Sequence, residues 1–150
     1  MRVVEGDLYA PDVAALLTLH LDRMREHSPP GSVHALDPGA LATPDITFWT
    51  VRDEGGLLGC GALRDLGGGG EIKSMRTADA HLRRGVAALL LDRMIGVARS
   101  RGYRRLSLET GSNPAFEPAL TLYRRRGFAP GGAFGGYAAT AFNLFLHLDL

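Results

Sequence analysis

The spacing of apolar residues switches between helical and alternating patterns along the chain. Residues 12–26 carry apolar side chains three and four positions apart, which predicts an amphipathic helix capped near Asp12. The strongest pattern of this kind covers residues 83–100, and Gly102 follows it as the expected helix stop. A further helix is predicted over 115–126. The chain therefore contains three substantial amphipathic helices.

Stretches rich in β-branched, aromatic or alternating apolar residues lie between these helices. The predicted strands cover residues 2–6, 46–52, 57–66, 71–77, 104–110 and 141–150. A short helix is predicted around residues 37–42, and the glycines at 67–70 are expected to join two strands as a hairpin-like connector. This order of elements predicts one α/β domain over residues 1–150, with a mixed sheet and helices on its faces.

Length and composition narrow the class of protein. A chain of 150 residues, 45% hydrophobic and 22% charged, is typical of one globular domain. No apolar run approaches the roughly 18 residues of a membrane span, and the N-terminal segment lacks a signal-peptide pattern, so we expect a cytoplasmic protein without a membrane partner. Cys60 is the only cysteine, which excludes an internal disulfide and a multi-cysteine zinc site.

Charge is distributed unevenly although the net charge is only +1. Residues 1–70 contain ten acidic and five basic side chains, whereas residues 71–127 contain five acidic and twelve basic ones. An anionic partner is therefore expected to bind the second of these regions, and a cationic one is better suited to the acidic first region.

One basic, glycine-containing turn stands between the strand 71–77 and the long helix. Such a turn directs several free backbone N–H groups towards one point, and the positive end of the helix dipole adds to them, so the turn is suited to phosphate. Arg83 and Arg84 supply further contacts, Gly85 lets a ligand approach the backbone, and Ala87 keeps the first helical turn small.

Other phosphate-binding motifs fit poorly. The chain has no G-x-x-x-x-G-K-[ST] sequence, and Lys73 is its only lysine. Gly59-Cys60-Gly61 lacks the third glycine of a dinucleotide-binding fingerprint and does not open a helix. Neither ATP nor NAD is therefore the expected ligand.

Two motifs together resemble the GNAT superfamily of N-acetyltransferases. Residues 82–87 match the glycine and small-residue positions of its [Q/R]-x-x-G-x-[G/A] loop, with Leu82 in place of the usual first residue. Residues 119–123, followed by Gly127 and Phe128, match its A-x-x-L-Y-x-x-x-G-F element. The resemblance covers nearly the whole chain.

The resemblance implies a GNAT fold, in which a mostly antiparallel sheet splays between its fourth and fifth strands, here 71–77 and 104–110, with acetyl-CoA in the opening. It implies transfer of the acetyl group to a primary amine of a small molecule or peptide by direct attack in a ternary complex. The amine would enter between the 12–42 region and the 131–137 loop. A non-catalytic, CoA-binding regulatory module of the same fold is the alternative.

The resemblance also implies roles for particular residues. Tyr123 corresponds to the family's general acid. A phenol suits this role, because it is protonated at neutral pH. Glu71 corresponds to the general base of one branch of the family, with Glu109 or a water as alternatives. The backbone N–H near Met75 corresponds to the donor that stabilises the oxyanion. The implied cofactor-binding residues are Met75, Arg76, Thr77, Leu82, Arg83, Arg84, Gly85, Val86, Ala87, Asn113 and Phe116.

Three other patterns favour structural interpretations. His20, His27 and His34 recur every seven residues but lack an acidic or thiol partner, so no metal is expected; His20 is assigned to the core and the others to loop or acceptor-pocket positions. The arginines at 124–126 indicate a helix C-terminus rather than nucleic-acid binding. Cys60 is predicted to be inert in the core.

The C-terminal strand is a candidate for homodimer pairing.

Overall fold

A computed structural model of the chain describes residues 1–34 and 37–150. Its strands are β1 (Arg2–Glu5), β2 (Ile46–Asp53), β3 (Gly56–Asp65), β4 (Gly70–Thr77), β5 (Arg105–Gly111), β6 (Ala129–Pro130) and β7 (Asn143–Asp149). Its α-helices are α1 (Pro11–Glu26), α2 (Val86–Ser100) and α3 (Glu117–Arg125), with short 3-10 turns at Ala40–Ala42, Asp79–His81 and Pro114–Phe116. The predicted α/β element order is confirmed.

The strands form one mixed sheet in the order β1-β2-β3-β4-β5-β7-β6. All neighbouring strands are antiparallel except β4 and β5, which are parallel and pair only at Gly70 with Leu106 and at Glu71 with Ser107. Beyond these two pairs the strands diverge. The predicted splay between the fourth and fifth strands is therefore confirmed, and it opens the sheet near its middle.

Apolar side chains cover both faces of the sheet, because successive residues of a strand point to opposite sides. On one face α1 buries Val13 and Leu17 against Phe48. On the other face α2 and α3 pack over the larger core cluster, which includes the adjacent strand residue Trp49. Helices therefore lie on both faces, as predicted. In the described part of the chain, no helix has the length and apolar character needed to cross a membrane.

The main differences from the sequence prediction concern where helices begin. The predicted helix 83–100 starts at Val86, because Arg83 and Gly85 have φ angles of 62° and 81° in the left-handed region, which interrupts a right-handed helix. Asp12 lies in the first turn of α1 and makes no capping bond; its carboxylate instead binds Arg52. The predicted helix at 37–42 is reduced to the 3-10 turn Ala40–Ala42.

Candidate functional site

A cleft of about 390 Å³ occupies the opening between β4 and β5. Its floor is formed by residues 71–76 of β4 and 108–111 of β5, the two segments that no longer pair with each other. The C-terminal half of α1 and the segment leading into α3 form its sides. The cleft therefore exists because the sheet is splayed at this position.

A β-bulge shapes the β4 wall of the cleft. Ser74 and Met75 of β4 together lie opposite Gly61 of β3, and Ser74 has a φ angle of 53°. A Cβ atom at Gly61 would lie only 2.8 Å from the Met75 sulfur and 2.4 Å from the Met94 methyl carbon. The bulge brings Met75 into the lining of the cleft, and Gly61 provides the space behind it.

The N-terminus of α2 lies just beyond the end of β4. The first intrahelical hydrogen bond runs from the Leu89 N–H to the Gly85 carbonyl at 3.0 Å, so the N–H groups of residues 86–88 have no acceptor within the helix. Gly85 carries no side chain to cover them, and its positive φ angle makes the turn. This geometry is suited to an anion, as the sequence predicts.

Around this turn the Leu82 side chain is exposed to solvent, whereas the Val86 side chain is buried. Leu82 is 56% exposed. The Arg84 guanidinium contacts the Asp53 carboxylate at 3.3 Å and the His81 ring at 2.8 Å. Val86 is buried, and a Cβ atom at Gly59 would lie 2.8 Å from its Cγ1. Gly59 and Gly61 of β3 thus allow side chains of α2 and residues of β4 to pack closely against β3, which explains the Gly-x-Gly sequence of that strand.

Tyr123 reaches the cleft from α3. Its ring is 7% exposed and packs edge to face against Phe128, with centroids 5.7 Å apart. Burial raises the pKa of the Tyr123 phenol to about 12, and the positive charge of Arg76 opposes this rise. The phenol is therefore protonated at neutral pH and able to donate a proton into the cleft.

Glu71 belongs to a buried cluster of three polar side chains at the start of the splay. Its Oε2 accepts a hydrogen bond from the Tyr137 hydroxyl at 2.6 Å and one from Lys73 Nζ at 3.2 Å. Lys73 Nζ also donates to the Tyr137 oxygen at 2.7 Å. Burial, followed by the bond to Glu71, raises the pKa of Tyr137 well above its usual value. These contacts attach the segment containing Tyr137 to β4.

Glu109 faces the same part of the cleft from β5. Its Oε1 lies 2.5 Å from His34 Nδ1, and its Oε2 accepts a hydrogen bond from Asn143 Nδ2 at 2.8 Å. The His34 ring lies 4.9 Å from the Tyr137 ring, centroid to centroid. The two carboxylates considered as bases thus lie on the two diverging strands, each with two hydrogen-bonding partners.

His20 and Arg76 form a buried pair on the α1 side. Arg76 Nε donates to His20 Nδ1 at 3.0 Å. Burial, reinforced by the charge of Arg76, lowers the pKa of His20 to about 3, so its ring is neutral at pH 7. Burial also lowers the pKa of Arg76. The burial of His20 agrees with its predicted place in the core, although it also borders the cleft.

Among the predicted cofactor residues near β5, Phe116 lines the cleft and packs edge to face on Phe142. The Asn113 side chain bonds within the protein: Oδ1 accepts from the Ala115 N–H, and Nδ2 donates to the His27 carbonyl at 2.7 Å. Asn113 therefore links the end of α1 to the end of β5.

The structure brings the predicted residues together in two groups. Glu71, Met75, Arg76, Phe116 and Tyr123 line the cleft. Thr77, at the end of β4, and residues 82–87 lie at the turn before α2. Asn113 belongs to neither group, because it does not line the cleft. Within the predicted acceptor region 12–42, residues 35 and 36 lie outside the described residues.

Sequence reasoning missed Lys73, Tyr137 and Asn143. Tyr137 falls in the loop assigned to the acceptor side, but no local pattern connects it with Glu71, 66 positions away. His27 and His34 both line the cleft. Over residues 1–34 and 37–150, no three histidine, cysteine or acidic side chains gather as a metal site. Cys60 is buried in the core, where burial raises the pKa of its thiol to about 12.

Sequence comparison identifies similar proteins over almost the whole chain. Residues 13–128 match the profile of the Acetyltransferase (GNAT) family. The chain is 46% identical over 147 residues to a protein named Uncharacterized N-acetyltransferase YsnE of Bacillus subtilis (strain 168), covering 97% of both. It is also 46% identical over 145 residues to Uncharacterized N-acetyltransferase YedL of Escherichia coli (strain K12), covering 96% of this chain and 91% of the relative.

Structure comparison gives the same fold. The crystal structure of a GNAT family acetyltransferase from Elizabethkingia anophelis, with acetyl-CoA bound, superimposes with a TM-score of 0.73. The match covers 99% of this chain and 97% of the other at 18% sequence identity, so the likeness concerns the fold.

Proposed function

Because the chain belongs to the GNAT family of acetyltransferases, we propose that it transfers the acetyl group of acetyl-CoA to a primary amine of a small molecule or peptide, by direct attack in a ternary complex. The observation that carries the proposal is the opening between β4 and β5, which is lined by Tyr123 and lies near the turn that begins α2. Acetyl-CoA, when bound, supplies the acetyl group as a thioester.

The turn at the start of α2 fits the diphosphate of this co-substrate. The N–H groups of residues 86–88, which lack helical acceptors, would donate to phosphate oxygens, and Gly85 would allow their approach. Arg83 and Arg84 would add contacts to the same anion. Along the splay, the β4 edge at residues 75–77 has no ladder partner on β5, which supports its predicted role in holding the extended pantetheine arm.

Two groups in the middle of the cleft serve the transfer itself. The Tyr123 phenol, with a pKa raised to about 12, holds a proton at neutral pH and donates it to the departing thiolate. The backbone N–H near Met75, at the bulge, is the proposed donor to the oxyanion, because the bulge departs from regular strand geometry there.

The acceptor amine is proposed to bind at the end of the cleft lined by Glu71 and Glu109, the two predicted bases. Glu71 Oε2 already accepts bonds from Tyr137 and Lys73. Those bonds occupy the lone pairs of that oxygen and give Glu71 a role in holding Tyr137 in place. Homodimer formation through the C-terminal strand and a cytoplasmic location are further predictions.

The proposed function is tested by thiol release from acetyl-CoA in the presence of spermidine, tyramine, kanamycin, glycinamide and an alanine-initiated peptide. We expect at least one amine to release CoA, and Tyr123→Phe to lower kcat about 10²- to 10⁴-fold while the Kd of CoA changes less than twofold. Tight CoA binding without thiol release from any amine would instead identify a non-catalytic CoA-binding module.

A further inference from the structure

The acceptor end of the cleft contains a histidine paired with a carboxylate. His34 Nδ1 lies 2.5 Å from Glu109 Oε1, and both residues line the cleft. The His34 side chain is 34% exposed, whereas that of Glu109 is 12% exposed. We propose that His34, oriented by Glu109, is the base that takes a proton from the acceptor amine. This inference rests on the proposed acetyl transfer and assigns one of its steps.

Hydrogen-bond chemistry fixes which nitrogen of His34 is basic. An ionised carboxylate only accepts hydrogen bonds, whereas a neutral imidazole has one N–H donor and one nitrogen lone pair. The short contact with Glu109 therefore places the hydrogen on Nδ1 and leaves the lone pair on Nε2. Because Asn143 Nδ2 donates to the second oxygen of Glu109 at 2.8 Å, the carboxylate is held in one orientation. The pair is thus prepared to accept a proton at Nε2.

The charged groups around His34 are arranged in layers. Glu109 approaches from β5, and the Tyr137 ring covers one side of the imidazole. Behind Tyr137, Glu71 and Lys73 of β4 form their own ion pair at 3.2 Å. Glu109 is therefore the charged group hydrogen-bonded to the ring, and its carboxylate can keep the bond from Nδ1–H both before and after Nε2 takes a proton.

His34 can take one of the two protons that the substrate nitrogen loses during acetyl transfer. An ammonium substrate loses two protons when it becomes an amide. The first moves from the substrate nitrogen to His34 Nε2 and then to water, and the electron pair left on nitrogen forms the C–N bond while the C–S bond breaks. Tyr123 gives its proton to the thiolate sulfur, and the second proton from nitrogen returns the phenolate of Tyr123 to its neutral form.

The tautomer of His34 can be measured on the free protein, without any substrate. Nitrogen-15 NMR of the wild-type imidazole should show a protonated Nδ1 and an unprotonated Nε2 at pH 8. Glu109→Gln should increase the Nε2–H form, because a glutamine amide can donate to Nδ1. The control Glu54→Gln, in the exposed turn between β2 and β3, should leave the spectrum unchanged. A wild-type His34 protonated on Nε2 would overturn the proposal.

Kinetics distinguish a base from a residue that only shapes the pocket. With the fastest of the five amines, His34→Gln should lower kcat/KM about 10²-fold at pH 7.5, with an unchanged Kd for CoA. For an amine with a pKa near 10.4, the deficit should then shrink about tenfold per pH unit, since the free fraction of the amine grows by that factor. For an α-amine with a pKa near 8, the deficit should shrink about threefold in all and level off above pH 8.5. A deficit that is constant from pH 7.5 to 9.5 would contradict the role of His34 as base.

The two hypotheses fail in different ways. If wild-type protein releases no thiol with any amine, the proposed acetyl transfer fails, whatever the tautomer of His34. If wild-type protein is active and His34→Gln, shown to be folded by circular dichroism, is equally active, only the assignment of His34 fails. Should that variant not fold, Glu109→Gln, which disturbs the orientation of His34, takes its place in the same pH series, and activity equal to wild type would overturn the assignment.

Discussion

The two ends of the cleft are built in different ways. The turn proposed to bind phosphate consists of consecutive residues, 82–87, and its proposed ligand groups are mainly backbone N–H groups at the start of α2. The acceptor end is assembled from side chains on β4, on β5, at position 34 and in the segment before β7. The first end is therefore a local property of the chain, whereas the second exists only when the whole sheet has formed.

This difference has energetic consequences. Arg84 at the turn is 46% exposed on its side chain, so its ion pair is screened by solvent. At the acceptor end, the side chains of Lys73 and Glu71 are 6% and 4% exposed, so each needs the other's charge. We expect changes at the acceptor end to affect folding stability and changes at the turn to affect mainly the binding of CoA.

The largest effect is expected for Lys73→Met. The substitution leaves the Glu71 carboxylate buried without its counter-charge, and removing one partner of such a pair costs about 3–5 kcal/mol of unfolding free energy. Urea denaturation measures the loss. The double variant Lys73→Met/Glu71→Gln removes both charges and should recover most of it; equal losses in single and double variants would show that the charge pairing does not matter.

Acidification should produce the next largest effect, through His20. Its folded pKa of about 3 is below its ordinary value of 6.5, so the stability it contributes is complete above pH 6.5 and is lost as the pH falls. The expected loss is about 2 kcal/mol at pH 5, where carboxylates with ordinary pKa values have taken up few protons. Urea denaturation at pH 7.5 and 5 should show this slope in wild-type protein and a flatter one in His20→Gln.

Alanine substitutions at two glycines, one just before α2 and one within it, test whether the turn before α2 binds CoA. Gly85 has a φ angle of 81°, so Gly85→Ala should cost about 1 kcal/mol of stability and weaken CoA binding by distorting the turn. Gly96 lies exposed within the same helix, where alanine is the better helix former, so Gly96→Ala should stabilise by up to about 1 kcal/mol with unchanged CoA affinity. Equal effects of both substitutions on affinity would count against the turn as the binding site.

The smallest stability change is expected for Arg84→Gln. Loss of its exposed contact with Asp53 should alter the unfolding free energy by less than about 0.5 kcal/mol. The Kd of CoA should nevertheless rise about fivefold at low ionic strength, because a charged contact to phosphate is lost. Calorimetry at 0.05 and 0.5 M NaCl should show the difference from wild-type protein shrinking with salt; a difference independent of salt would exclude a charge contact.

The parts of the molecule that sequence predicts well are those with local causes. Apolar periodicity predicts α1 and α2 to within a few residues of their observed bounds. The turn before α2 could be predicted as well, because the residues that form it are consecutive in the sequence. The start of α2 was predicted three residues early because basic residues are compatible with a helix. The left-handed conformations of Arg83 and Gly85 appear only in the structure.

The acceptor end could not be predicted in the same way. Glu71 and Glu109 were both candidates, but the partners that distinguish them come from positions 34, 73, 137 and 143. Lys73 lies two positions after Glu71 on the same strand, but the other partners are 34 to 75 positions away from the carboxylate they contact, and no periodicity or motif connects them. Register and strand order bring these side chains together, so their roles can be inferred only from the folded chain.

The most direct test of the account is the response of individual backbone amides to CoA. In proton–nitrogen correlation spectra of labelled wild-type protein, CoA should shift the amide signals of residues 85–88 most strongly, with further shifts along residues 75–77. Desulfo-CoA, which retains the diphosphate, should shift residues 85–88 to the same extent. Unchanged signals at residues 85–88 with millimolar CoA would contradict the placement of the diphosphate at the start of α2.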